Sequence, residues 1–400
     1  MKKIMATLIA ITLLISFLPA KSSTVFSATP FKDVPNNHWA KDAIDFAAQK
    51  GYVGGYPDGR FIPNGTITRA EFTAVLVRIA GVQAGSSGAF TDIQKHWASD
   101  AIQTAVAQGI IAKEDFGSTF QPNKNITRLE MSRMIARALS LDTKYKAYLD
   151  AFKGLYNGDL PFVDYREMKD KDLPFIGLAF GARTMNGYPD ASFGLNKNAT
   201  RAEAVVMLKN YHDNRSKTPE SFQYLRELKE VAETGMNAAA VSRLVPEVNL
   251  KTTDITLKHP AYDVTVKRVY VLPLEGNVVS LYEKKYLWDR NLLEDRLKNN
   301  KRGYVVASVK FSPKKNGDRM MIMQSLALNP SANITHDEPF QKYGLINEWM
   351  KQHFTLVKDV QVELSLYGSY SDDKFRVYID SIDSNLGNVE LLFNPDKKRN

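Results

Sequence analysis

Apolar residues in the first half of the chain recur at helical spacing in short bursts, each followed by a polar break rich in glycine and proline. In HWAKDAIDFAAQKG, Trp39, Ala43, Ile44 and Ala47 fall at i, i+4, i+5 and i+8, one face of a helix ending at Gly51. GYPDGRF follows, a turn in which Pro57 presets φ and Asp58-Gly59 tolerate positive φ. A second helix opens at Thr68 and buries Phe72, Val75 and Leu76. The same order returns from Phe90, 59 residues after Phe31, and again, more diverged, from about Phe162 to Tyr211. LDTKYKAYLDAFKGLYNGDL (Leu141–Leu160) is inserted between the second and third copies. A unit of roughly 50 residues with two short helices has too little core alone, so the three must pack together.

Past the polar stretch HDNRSKTPES the period changes. FQYLRELKEVAET and NAAAVSRLV read as helices, whereas TDITLKH, YDVTVKRVYVLPL, NVVSLY, GYVVASVKFSP, RMMIMQSLAL, KDVQVELSLY and KFRVYIDSI alternate as strands do. EKKYLWDRNLLEDRLKNN and PFQKYGLINEWMKQHF interrupt them as helical inserts. The expected fold class is therefore an α-helical, pseudo-threefold first half followed by a β-rich, α+β second half. By class-level analogy the latter is an immunoglobulin-like antiparallel sandwich.

One string marks the second helix of every copy: ITRAEF at Ile67–Phe72, ITRLEM at Ile126–Met131 and ATRAEA at Ala199–Ala204. Thr68/Glu71, Thr127/Glu130 and Thr200/Glu203 are spaced as capping boxes. A capping box has no use for Arg69, Arg128 or Arg201, and the helix dipole disfavours a cation in the first turn. Two explanations stand. The helix N-terminus offers free N–H groups, and a guanidinium beside them would grip a ligand carboxylate with two parallel bonds. Alternatively each Arg pairs with a neighbouring acid such as Asp33 or Asp92.

The pattern F-x-D-V…H-W-A…A-I…G…G-Y-P-D-G-x-F-x-P…I-T-R-A-E resembles the S-layer homology module in its usual set of three, over about Phe31–Tyr211. The resemblance implies a pseudo-threefold assembly and non-covalent attachment to an anionic secondary cell-wall polysaccharide, often one bearing pyruvate ketals, in Gram-positive and related bacteria. On that basis the modules span 29–84, 85–145 and 146–215, with a β-rich domain over 216–400. The ketal presents a carboxylate, which makes Arg69, Arg128 and Arg201 the first polysaccharide-binding candidates. Tyr56, Asp58 and Gly59 in the first turn could meet sugar hydroxyls, as could Tyr188 and Asp190 in the third. Trp39 and Trp97 are expected in the core from their place on the apolar face; exposure at a groove edge would instead make them sugar platforms. Repeat three has no matching Trp, only Phe175 nearby, and Ala191 stands where Gly59 does. Repeat two replaces GYPDG with KEDFGST. The three grooves should be unequal, the one using repeat one's loop the most complete.

Charge narrows the partners. The formal net charge is +9, yet residues 29–220 hold 24 basic and 21 acidic side chains and residues 221–400 hold 26 and 23. No block of like charge suits a nucleic acid or a membrane surface. MKKIMATLIAITLLISFLPAKSS orders basic, apolar and small residues as a secretory signal over 1–28, with cleavage after Ala20 or Ala28. No later run is long and apolar enough to span a bilayer. The chain has no Cys, and His38 and His96 lack metal-ligand spacing, so no cofactor or metal is expected. The second half shows no nucleophile, zinc or phosphate-loop motif, and the expectation is a binding or structural domain without catalytic residues. The alternative, a wall-anchored glycan or peptidoglycan hydrolase, would need carboxylates such as Glu294, Asp295, Asp372 and Asp373.

Overall fold

A computed structural model describes residues 31–242, 245–246, 248–258, 262–273, 278–286, 303–314, 317–318, 327–329, 355–356, 362–370, 375–380 and 388–394. The signal segment, Glu294, Asp295, Asp372 and Asp373 lie outside them, as does most of both helical inserts.

Three repeats build the first half, each supplying two helices that pack against helices of the other repeats. The pairs are α1 (Lys41–Gln49) with α2 (Arg69–Ala80), α3 (Ser99–Ala107) with α4 (Arg128–Leu139), and α6 (Leu173–Gly181) with α7 (Arg201–Asn214); α5 (Thr143–Ala151) lies in the insertion. α2 ends as its sequence dictates, on Gly81 with φ 65°. Between the pairs, single backbone hydrogen bonds close a ring. The Ile67 N–H donates to Ala199 O (3.3 Å), the Ala199 N–H to Ile126 O (3.3 Å), and the Ile126 N–H to Ile67 O (3.0 Å). Three short stretches thus share a central seam that none of them could form alone.

The third pair departs from the other two for a visible reason. LPFIGLAFG in α6 is buried at every position except Phe175, because a further helix, α8 (Gln223–Thr234), covers its outer side. A Cβ on Gly181 would stand 2.5 Å from Leu225 Cδ2, so the absent side chain is what lets α8 seat. Tyr224 and Phe180 pack ring to ring at 5.3 Å.

After α9 (Ala238–Val241) come strands β1 (Val245–Pro246), β2 (Thr256–Lys258), β3 (Tyr262–Pro273), β4 (Gly303–Pro313), β5 (Gly317–Asp318), β6 (Ala327–Asn329), β7 (Thr355–Leu356), β8 (Val362–Tyr370), β9 (Phe375–Asp380) and β10 (Asn388–Asn394), with the short helix α10 (Glu283–Tyr286) between β3 and β4. Among the described residues they form antiparallel sheets in the orders β2-β3-β4-β8 and β1-β10-β9-β6, with β5 paired to β7. NVVSLY, expected as a strand, is not one: Val278 to Tyr282 form an irregular turn. Their N–H groups go to side chains rather than to a ladder, Leu281 donating to the Glu227 carboxylate and Ser280 to Glu283.

The two halves meet through a buried polar joint. Asp159, at the end of the insertion and fully buried, accepts from Arg268 Nε (2.8 Å) and Nη2 (3.1 Å) on β3 and from the Tyr270 hydroxyl (3.0 Å). Lys285 Nζ donates to Gly158 O (2.6 Å). Beside it, Glu227 on α8 is also fully buried and accepts from Ser280 Oγ (2.7 Å), Gln223 Nε2 (2.9 Å) and Asn237 Nδ2 (3.2 Å). Burial pushes its carboxyl up to about 7, and those donors pull against the shift without cancelling it. The folded state therefore holds this proton more tightly than the unfolded chain does. That contribution is complete at low pH and is lost as pH rises through about 7. Between pH 5 and 8.5 the unfolding free energy should fall by on the order of 3 kcal/mol more in the native protein than in Glu227→Gln. Parallel pH profiles of the two would show the prediction wrong.

Candidate functional site

The three capping boxes are formed. Thr68 Oγ1 accepts from the Glu71 N–H (3.2 Å) while Glu71 Oε2 accepts from the Thr68 N–H (2.8 Å). Thr127/Glu130 and Thr200/Glu203 repeat the exchange. The expectation of free N–H groups at these helix ends is overturned. Arg69 N donates to Lys124 O (2.8 Å) and Ala70 N to Pro122 O (3.0 Å); Arg128 and Leu129 donate to Lys197 and Leu195; Arg201 and Ala202 donate to Gly65 and Pro63. Each helix N-terminus is closed by carbonyls of another repeat, so the dipole alone presents no open anion site.

The guanidinium groups follow the same rotation. Arg69 grips Glu130 through Nε (3.2 Å) and Nη2 and donates from Nη1 to Phe120 O (2.7 Å). Arg128 donates to Phe193 O (2.8 Å) and Asn186 O (2.5 Å). Arg201 donates to Phe61 O (2.9 Å) and Gly54 O (3.2 Å) and reaches Glu71 Oε1 at 3.5 Å. Each Arg thus bonds the loop of another repeat, and two of them also bond its capping Glu; this is what they gain in return for opposing the helix dipole. Pairing with Asp33 or Asp92 is corrected. Those carboxylates accept the N–H groups of Phe61 and Ile62, and of Phe120 and Gln121, all at 2.7–2.8 Å. Arg69 and Arg128 are buried, and burial draws the Arg128 guanidinium below its usual range against the opposing pull of Tyr188 and Glu203.

Where the repeats meet, one junction opens into a groove of about 230 Å³. The first repeat supplies Val53, Gly54, Glu71 and Arg78, the second Trp97, and the third Arg201. Two guanidiniums and one carboxylate line it, so the site favours an anion, and apolar wall and indole favour a flat, partly apolar face. The expected core placement of Trp39 and Trp97 is wrong: they are 64% and 68% exposed. The helices begin two residues later than the apolar spacing indicates. His38 Nδ1 accepts the Ala40 N–H (3.1 Å) and His96 Nδ1 the Ala98 N–H (3.2 Å), which leaves each Trp in the turn before its helix.

Tyr56 is 43% exposed, with the Arg201 guanidinium 5.3 Å from its ring. Asp58 is held in the turn by Arg60, through its backbone N–H (3.1 Å) and its Nε (2.7 Å), and Arg60 lowers its pKa. Asp190 holds the third turn through Ser192. Gly59 has φ 81°, and its counterpart Ala191 is forced to φ 64°. Ala191→Gly should raise stability by about 1 kcal/mol, read as a shifted urea midpoint; no shift would show that the turn carries no strain.

Arg78 was not singled out from the sequence. It donates from Nη1 to Gly51 O and Tyr52 O (both 2.9 Å) at the groove's edge. Its signal was present: it lies seven residues after Glu71, on the same helix face, and recurs as Arg137 after Glu130. Among the described residues no cluster of His, Cys, Asp or Glu could hold a metal, and no helix is long and apolar enough to cross a membrane.

The family model of the S-layer homology domain matches residues 30–73 and 89–132. An amylopullulanase of Thermoanaerobacterium thermosulfurigenes is 36% identical over 180 residues, 44% of this chain and 9% of its own. A cellulosome-anchoring protein of Acetivibrio thermocellus is 40% identical over 119 residues, 28% of this chain and 26% of its own. An S-layer protein sap of Bacillus anthracis is 32% identical over 181 residues, 44% of this chain and 20% of its own. The chain therefore spans about a quarter or less of the length of these relatives. Residues 30–73 and 89–132 are S-layer homology domains, and the chain that carries them is a cell-surface protein.

Proposed function

We propose that residues 29–215 form three S-layer homology modules, the third diverged, that hold the protein non-covalently on an anionic, pyruvylated wall polysaccharide. Residues 216–400 are then displayed outside the cell as an immunoglobulin-like binding or structural domain. The observation carrying this reading is the groove to which all three repeats contribute, with Arg78 and Arg201 opposing Glu71 beside an exposed Trp97. In it the indole stacks on a sugar face, Arg78 receives the ketal carboxylate, and Tyr56, Asp58 and Gly59 flank the chain. Arg201 is largely committed to Phe61, Gly54 and Glu71, so it shapes the site more than it grips the ligand.

The test is cosedimentation of the full chain with purified walls. Native protein should pellet, and Trp97→Ala and Arg78→Ala should each weaken retention roughly tenfold, about 1.4 kcal/mol. Acid removal of the polysaccharide should abolish it. Native protein left in the supernatant over intact walls would sink the reading. A glycan hydrolase in residues 216–400 is the second reading, motivated by relatives named amylopullulanase and endoglucanase. A zymogram on wall and xylan substrates decides it.

A further inference from the structure

The three grooves are expected to be unequal, and the side chains at the second and third junctions are arranged differently from those at the first. At the first, small Ala74 lines the groove and Ala98 caps the helix that follows Trp97. At the second, the matching positions are Arg133, 59 residues after Ala74, and Asp172, the cap of α6; Lys171 precedes that cap where Trp97 precedes Ala98. These replacements bond one another. Arg133 donates to Asp172 Oδ1 from Nε (2.9 Å) and Nη2 (2.5 Å), and its Nη1 lies 3.5 Å from Asp115 Oδ1. Arg137, the counterpart of Arg78, donates to Asp115 Oδ2 at 2.5 Å and lies 4.5 Å from the Phe175 ring. All four charged side chains are at most 15% exposed. The cations that would meet an anion are already neutralised and desolvated, and a ligand would have to break these pairs to enter.

The third junction is altered by another device. Tyr188 is half-buried, with its ring 4.5 Å from the Arg128 guanidinium. Lys197 Nζ stands 4.2 Å from the same ring. The corresponding Tyr56 is 43% exposed and stands farther from its guanidinium, with its ring 5.3 Å from Arg201. Asn210 stands where Arg78 supplies the cation at the first junction.

We propose that the protein takes one anionic sugar per copy, at the junction of Gly54, Arg78, Trp97 and Arg201. The second junction is locked by the Asp115–Arg133–Asp172–Arg137 cluster, and the third is covered by Tyr188. The inference rests on the polysaccharide reading above and adds its valence. Titration calorimetry of the full chain with a small monovalent probe, a pyruvate-ketal methyl glycoside, tests it. The expected stoichiometry is one, with affinity weakened about tenfold in Trp97→Ala and unchanged in Lys171→Ala. Trp97 is exposed, so the first variant should unfold as the native protein does. A stoichiometry of two or three, or native affinity persisting in Trp97→Ala and weakening only when Trp39 is also changed, overturns the single seat while leaving the polysaccharide reading intact. No heat from the native protein, together with no pelleting on walls, overturns the reading and the valence with it.

Discussion

Replacing Arg69 by alanine is expected to destabilise the first half by about 3–5 kcal/mol, measured as a lowered urea midpoint. The guanidinium is buried between repeats, and its loss leaves the Glu130 carboxylate, 13% exposed, without its cation and Phe120 O without its donor. Glu130 still caps its own helix through Thr127, so that helix should persist while the junction loosens. Arg69→Lys keeps the charge but cannot reach a carboxylate and a carbonyl together from one planar fork, and should recover only part of the loss. A double-mutant cycle with Glu130→Gln should return a coupling energy well above that of a surface pair, 0.2–1 kcal/mol. A cost within that surface range would mean the repeats hold together by apolar packing alone.

Changing Asp159 to Asn should cost a similar amount, about 3–5 kcal/mol, at the joint between the halves. Arg268 is 6% exposed and would keep its charge while losing the Asp159 carboxylate, and one amide oxygen would stand where two oxygens now accept from Arg268 and Tyr270. Here the effect should include a change of cooperativity, with the sheet containing β3 becoming sensitive to protease before the helical repeats do. Replacing both partners, Asp159→Leu with Arg268→Met, removes the desolvated charges together and should recover most of the stability. If Asp159→Asn unfolds at the native midpoint in a single transition, the joint contributes nothing.

Much of this was legible in the chain. The repeat, the capping boxes and the turn at Gly59 depend on neighbours within a few residues, and the strands β3 and β4 fall where alternation places them. What was not legible depends on distant partners. Arg201 bonds Phe61 O from 140 residues away, and no local pattern names a carbonyl as the target. The two tryptophans were misplaced because a histidine takes the N–H of the residue that precedes each helix, a contact that apolar periodicity does not encode. LPFIGLAFG lacks a polar face because α8 covers it, which is one reason the third repeat diverges from the first two. Arg133 and Asp172 stand 39 residues apart, and nothing local in the sequence pairs them.

The ring of bonds through Ile67, Ala199 and Ile126 also limits how the protein can be assembled and extended. Stacked repeat proteins add units at an open end, and each new unit needs only its neighbour. Here the last repeat returns to the first, as in a closed rotational assembly, and no end remains to accept a fourth. During synthesis at about 5–20 residues per second, the first repeat must wait many seconds for Ala199 and Arg201 to emerge. Until then its Phe61 and Gly54 carbonyls lack their donors. A chain cut after the second repeat would strand both neighbours of the missing third, so the ring should form late and in one step rather than module by module.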